Sequence, residues 1–330
     1  MVVTVTGATG FLGRRLVRHL LQDGLVVRCA VRPTSDVDGL RQFVGEDLWT
    51  RVELARVNLL RSDDCRRLLE QTSVVYHLAA ALRGSPAVLF ASTVVATRRL
   101  VEAAVDSPLR RFVLVSSLGI YAAGELSAGS TLDESCPVDP KPHLRDAYTY
   151  SKAVQEEVCW QAFRQNGLPL VVVRPGVIYG DERGCLSSRV GLQVGGLLVR
   201  IGGRDPLPYT YVENCAEAVA LAGLVPGLEG QVVNVVDDQL PTGRQLLREL
   251  RRRGQAPTTF ALPRRLVGLL ARCVEWASRR TRGQIPPVVT RYWARHHWSG
   301  VRYSNRRAKE LWGWRPSVSL GEALDRTLSS

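Results

Sequence analysis

The 330 residues suffice for one large α/β unit or two sharing an interface, and a 45% apolar composition fits a globular chain in which no apolar run reaches the length of a membrane-spanning helix. Seven scattered cysteines, odd in number and without a Cys-x-x-Cys pair, exclude a disulfide framework and a zinc site; with Met1 leading straight into a Val-Thr alternation, a cytoplasmic chain is predicted. The net charge of +13 comes almost wholly from arginines spread from Arg14 to Arg326, with only Lys141, Lys152 and Lys309 beside them, and no nucleic-acid-binding signature accompanies it, so no nucleic-acid partner is expected.

The chain opens on a β-branched run, Val2 to Thr6. Gly7-Ala8-Thr9-Gly10-Phe11-Leu12-Gly13 follows, and then a helical pattern through Leu16, Val17, Leu20 and Leu21. Strand, glycine loop and helix in that order suit a dinucleotide: glycines allow a tight turn and close approach to a pyrophosphate, and the helix N-terminus offers amides and a positive dipole end. The spacing is Gly-x-x-Gly-x-x-Gly. A second strand, Val26 to Val31, ends at Arg32-Pro33-Thr34-Ser35, where an NAD site offers an acidic residue; a guanidinium suits a 2′-phosphate, so NADP is favoured over NAD.

A third strand is predicted over Val52 to Leu59 and a fourth over Val74 to Leu78, running into Ala79-Ala80-Ala81, small residues that let a loop approach a flat ligand. His77 reads as a packed strand-end histidine. A helix is expected over Thr93 to Ala104, and the strand Phe112 to Val115 has Ser116 and Ser117 at its carboxyl end, where ligands of parallel sheets gather. A polar loop from Tyr121 to Ala147 delivers Tyr148-Thr149-Tyr150-Ser151-Lys152 at the start of a helix (Ala153, Val154, Val158, Trp160, Phe163), with Tyr148 and Lys152 on one face. An ammonium beside a phenol lowers the phenol's pKa, so this pair is expected to exchange a proton with a carbonyl or alcohol.

Another strand, Leu170 to Val173, turns at Arg174-Pro175-Gly176-Val177-Ile178-Tyr179-Gly180. Strands alternating with helices predict a doubly wound parallel sheet. Residues 1–180 are assigned to the dinucleotide-binding unit and 181–330 to a smaller, mainly helical substrate-binding region, with elements near 209–237 returning to the sheet. Gly184 to Gly203 is glycine-rich with apolar interruptions, and a helix follows at Ala216 to Leu224. Gln231 to Val236 is a further strand, and the chain from Thr242 reads as helical and basic. Residues 262–282 carry an apolar stripe (Leu266, Val267, Leu269, Leu270, Cys273, Val274) flanked by arginines with Trp276 near its end, a pattern for peripheral membrane contact or for inward packing.

Five ordered motifs together, Thr6-Gly7-Ala8-Thr9-Gly10-Phe11-Leu12-Gly13, His77-Leu78-Ala79-Ala80, Val115-Ser116-Ser117 with Tyr121, Tyr148-x-x-x-Lys152 and Arg174 to Gly180, resemble the extended short-chain dehydrogenase/reductase superfamily, that is, the NAD-dependent epimerase/dehydratase family. The look is nearest to its 3β-hydroxysteroid-dehydrogenase-like and dihydroflavonol-reductase-like members. The stretch from Val301 to Pro316 also looks like the C-terminal region of this group. The resemblance implies a Rossmann fold, with Tyr148 as general acid in reduction, Lys152 lowering its pKa and holding the nicotinamide ribose, and Ser117 bonding the substrate oxygen; Ser117, not Ser116, has the Ser-x-x-x-Tyr spacing to Tyr121. It further implies cofactor contacts from Gly7, Thr9, Gly10, Phe11, Leu12, Gly13, Arg32, Asn58, Leu59, Leu78, Ala79, Ala80, Thr93, Tyr148, Lys152, Pro175 and Val177. Tyr121, Arg204 and Tyr209 are substrate candidates.

Two departures stand out: Thr93 occupies the place of an Asn in the group's Asn-Val-x-Gly-Thr helix start, and Asn58 precedes Leu59 where an Asp is common. The expected activity is hydride transfer between a nicotinamide and a ketone or secondary alcohol of a small apolar molecule, by a monomer or homodimer. A nucleotide-sugar epimerase or dehydratase with tightly held NAD is the alternative, although no acidic pair follows Ser117. A cofactor-binding regulator without turnover is the third reading.

Overall fold

The computed structural model describes residues 1–281, 284 and 289–329. Strands β1 (Val2–Thr6), β2 (Val26–Val31), β3 (Val52–Arg56), β4 (Val74–His77), β5 (Arg111–Val115), β6 (Leu170–Pro175) and β7 (Gln231–Val235) form one sheet in the order β7-β6-β5-β4-β1-β2-β3. Every neighbouring pair is parallel. Parallel strands covered on both faces read as continuous apolar runs, which is why Phe112 to Val115 and Leu170 to Val173 lack a polar alternate position.

The two faces separate cleanly. Val113, Val115, Val171 and Val173 join the core under α1 (Phe11–Gln22), while Phe112, Leu114, Leu170 and Val172 join the opposite core with Leu100 and Cys159. Strand order reverses between β1 and β4, and the crevice beyond their carboxyl ends is where an open α/β sheet receives a ligand. β7 beside β6 brings the chain back to the sheet after residue 209, as expected.

Three elements differ from expectation. The helix anticipated at Thr93 starts at Pro86: an α segment (Pro86–Phe90) passes through a π turn (Ala91–Val95) into Ala96–Val105. β3 ends at Arg56, leaving Asn58 and Leu59 in the following loop. The glycine-rich stretch after Gly184 contains a hairpin, Gly191–Val194 with Leu197–Ile201, to which Thr259–Leu262 adds a parallel strand. Its turn residues Gly195 and Gly196 sit at φ +55° and +80°, the left-handed pair that a two-residue hairpin turn needs.

The helix α2 (Ala147–Asn166) carries the Tyr-Lys pair. Asp146 caps it, accepting from the Thr149 amide at 2.9 Å, and Gly167 ends it at φ 69°. The later helices are α3 (Val212–Leu224), which covers α1, then α4 (Arg264–Arg280) and α5 (Arg291–His297). No helix among the described residues is long and apolar enough to cross a membrane. The stripe on 262–282 divides: Val267 and Ala271 pack inward with Trp298, whereas Leu266, Leu269, Leu270, Cys273 and Trp276 are exposed. Arg282, the last residue of that stretch, lies outside the described residues.

Candidate active site

Glycines at the β1–α1 junction are required by contact. Gly7 has φ +72°, and a Cβ there would lie 3.1 Å from the Ala79 amide; a Cβ on Gly13 would lie 2.0 Å from the Gly7 carbonyl oxygen. The loop therefore rests on Leu78 and Ala79 across the crevice, and α1 begins at Gly10 with no side-chain cap on its first-turn amides. Backbone donors, a dipole end and a floor of small residues fit a dinucleotide pyrophosphate. Arg32 is exposed at the end of β2 with no carboxylate within ion-pair distance among the described residues, and its amide donates to Ser35 Oγ at 2.9 Å. Thr9 and Leu59 are half-buried. The Asn58 Oδ1 accepts from the Leu60 amide at 3.0 Å, so its acceptor serves the turn and its side-chain NH2 remains the group for an adenine.

Beyond the ends of β5 and β6 a cavity of about 480 Å³ opens, lined by Ser117, Tyr148, Pro175 and Val177 among others. The Ser117 hydroxyl lies beside the Tyr148 phenol, and the Ser117 Oγ accepts from the Gly119 amide at 3.0 Å. Ser116 is buried with its hydroxyl unpartnered. Burial pushes the phenol up to about 12, against the pull of the Ser117 hydrogen bond.

The hydrogen bonds of the Lys152 ammonium go to groups other than the phenol. Its Nζ donates to the Val115 carbonyl (2.8 Å) and the Gln155 Oε1 (2.7 Å), and burial brings the ammonium down to about 8. The physical reason is that two acceptors at hydrogen-bond length hold the ammonium toward β5. Gln155, fully buried, donates in turn to Thr97 Oγ1 at 2.7 Å, and His77 joins Thr97 Oγ1 and Thr6 Oγ1 at 2.7 Å each. Burial, then Lys152, takes His77 down to about 3, so it is a neutral packed residue and not a base. Thr93 is buried, and its hydroxyl accepts from the Ala81 amide at 3.2 Å, fixing the loop after β4.

The Arg174 of the β6 turn is structural. It pairs with Glu156 of α2 and stacks 4.4 Å over Tyr121, tying strand to helix behind the cavity. Of the substrate candidates none lines the cavity. Tyr121 is fully buried with its hydroxyl on Asn234 Oδ1 (2.8 Å), Tyr209 is fully buried and bonded to Ser187 and Cys185, and Arg204 is exposed on a loop. Instead Arg145, Asp146, Arg189, Trp293 and His297 line the same cavity as Ser117. Sequence reasoning passed over these and Gln155, because no short motif joins them.

The model of the NAD dependent epimerase/dehydratase family matches residues 3–235. Cinnamoyl-CoA reductase 1 of Petunia hybrida is 32% identical over 184 residues, 54% of this chain and 55% of that protein, so the match spans about half the length of that relative. Sterol demethylase protein B of Methylococcus capsulatus is 31% identical over 98% of this chain and 97% of its own, and 2-alkyl-3-oxoalkanoate reductase of Shewanella oneidensis 26% over 99% and 85%. The solved UDP-glucose 4-epimerase of Thermus thermophilus in complex with NAD is 25% identical, with a TM-score of 0.70 over 100% of this chain and 98% of its own.

Proposed function

The chain belongs to the NAD dependent epimerase/dehydratase family and is an NAD(P)-dependent enzyme of the extended short-chain type, and from that premise we propose that it interconverts a ketone and a secondary alcohol on a small, largely apolar molecule. The observation that carries the proposal is the meeting of the Ser117 hydroxyl and the Tyr148 phenol on the wall of one half-open cavity, with Lys152 one helical turn behind. The names of the two relatives aligned along most of their own length, a reductase of 3-oxo compounds and a sterol demethylase, support that substrate class.

In reduction the Ser117 hydroxyl donates to the substrate oxygen and the Tyr148 phenol, kept protonated by burial, delivers its proton there as the oxygen becomes an alkoxide. The nicotinamide supplies the hydride. Lys152 is the residue to hold the nicotinamide ribose and to offset the phenolate left behind. Gly7, Gly10 and Gly13 cradle the pyrophosphate, and Arg32 takes a 2′-phosphate, which makes NADP the preferred cofactor. The exposed stripe of α4, bordered by Arg272, Arg279 and Arg280, serves peripheral contact with an anionic bilayer, since apolar area and cationic rim on one face match lipid tails and headgroups.

Purified protein given NADPH and a panel of ketones should consume NADPH. Tyr148→Phe should lower kcat by roughly 10²–10⁴-fold with cofactor affinity retained. Unchanged turnover in that variant would remove the phenol from the mechanism. Isomerisation of a UDP-sugar without net cofactor consumption would return the epimerase reading.

A further inference from the structure

The turn that follows the Arg174 to Gly180 segment sets a guanidinium against the glycine loop. Arg183 and Gly184 donate their amides to the Gly180 carbonyl (3.0 and 2.8 Å), which closes the chain on itself directly after the short strand Val177–Tyr179. Gly180 packs tightly there, and a Cβ on it would lie 3.1 Å from the Phe11 ring. Phe11 is the first residue of α1, next to Gly10 in the loop, and it is buried. The guanidinium carbon of Arg183 lies 4.7 Å from the centre of that ring, and that of Arg15 lies 4.4 Å from it.

The two arginines differ in their partners. Arg15 is held by Asp181 (2.6 Å), Glu182 (3.1 Å) and Glu213 (3.3 Å), and Arg14 also pairs with Glu182. Asp181 and Glu182, the acidic residues just before Arg183, are thereby engaged by α1. Arg183 is exposed as a residue and makes no ion pair among the described residues. Burial of the guanidinium laid on the ring, then Arg83 and Arg15, lowers its pKa against the opposing pull of the Tyr148 phenol; no carboxylate is among these groups. Arg83 comes from the loop after β4, which borders the same crevice, so like charges from separate loops act on each other there. Their repulsion falls when an anion enters.

The anion due at this place is the cofactor's. The loop from Gly7 to Gly13 meets a diphosphate with backbone amides and the positive end of α1, and it carries no charged side chain. Resting on the family's dependence on NAD(P), we propose that Arg183 is the counter-cation of the cofactor's diphosphate, held on the Phe11 ring beside the first turn of α1. A planar fork of donors suits phosphate oxygens, and the ring beneath it fixes the fork. Because NAD and NADP share the diphosphate, Arg183 adds affinity for both, whereas Arg32 distinguishes them. A diphosphate borne by a substrate is the other source of the same anion.

Binding measured apart from turnover tests this. Cofactor-free protein is titrated calorimetrically with NADP+ and with NAD+, for wild type, Arg183→Gln and Arg183→Lys, each checked by circular dichroism. Arg183→Gln should weaken both cofactors by the same factor, at least tenfold, and Arg183→Lys should recover part of the loss. A loss of less than tenfold, or one confined to NADP+, overturns the proposal. So does Arg183→Lys binding no better than Arg183→Gln, which would leave packing on Phe11 as all that the arginine supplies. UDP titrated into protein saturated with NADP+ covers the second source: UDP binding that needs Arg183 while NADP+ binding does not assigns the guanidinium to the substrate and overturns the proposal. Failure of the ketone reading shows separately, as cofactor affinity that depends on Arg183 with no NADPH oxidised by any ketone.

Discussion

At the scale of single residues, the sequence singled out Ser117, Tyr148 and Lys152, and the fold brings Ser117 and Tyr148 into contact. What it did not carry was the state of the lysine. A glutamine three places after a lysine on a helix reads as surface, and only the fold sets Gln155 against Thr97 and His77. Gln155 therefore positions Lys152 through its Oε1, and this has a pH signature. Reduction needs the phenol protonated, which holds below about 12, and the ammonium charged, which holds below about 8, so activity should fall as pH rises through 8. In Gln155→Leu the charged lysine loses an acceptor. A hydrogen bond to a charged group is worth ~1.5–3 kcal/mol, so the alkaline limb of kcat/KM should move down by about one to two pH units. A limb still at 8 in this variant, read from a profile between pH 6 and 10, would show that Gln155 is mere packing.

At the scale of elements, legibility followed environment. Strands buried on both faces announced themselves as β-branched runs, and the glycine loop announced the start of α1. The hairpin of 191–201 stayed hidden because its strands are short and half-exposed, and its signal, Gly195-Gly196, sits among other glycines. The stripe of 262–282 was ambiguous for a physical reason: two apolar faces share α4, and only the fold decides which one Trp298 covers. The outward face makes the proposed membrane contact measurable. Protein should float with phosphatidylserine vesicles at low salt, and Leu269→Glu with Trp276→Glu should abolish flotation without lowering thermal stability, since both side chains are exposed. Wild type that stays at the bottom of the gradient at low salt would end this assignment.

At the scale of the whole molecule, a cofactor bound across the sheet crevice stabilises the fold by mass action. NADPH at a hundredfold over its Kd should add about 2.7 kcal/mol, a rise in Tm of about 4 °C for a chain of this size. NADH at the same concentration should give less, and Arg32→Ser should close the gap; equal shifts with both cofactors in wild type would remove the 2′-phosphate role from Arg32. The sequence by itself determined the sheet, the glycine turn and the placing of Tyr148 and Lys152 on one helix face, because each depends on local spacing: period-two or continuous apolar runs, φ > 0 at Gly7, and four residues between Tyr148 and Lys152. Only the tertiary structure decided what lines the cavity. Arg145, Arg189 and His297 come from three separate segments and meet only where folding sets them around one cavity and withdraws Tyr121 and Tyr209 into the core.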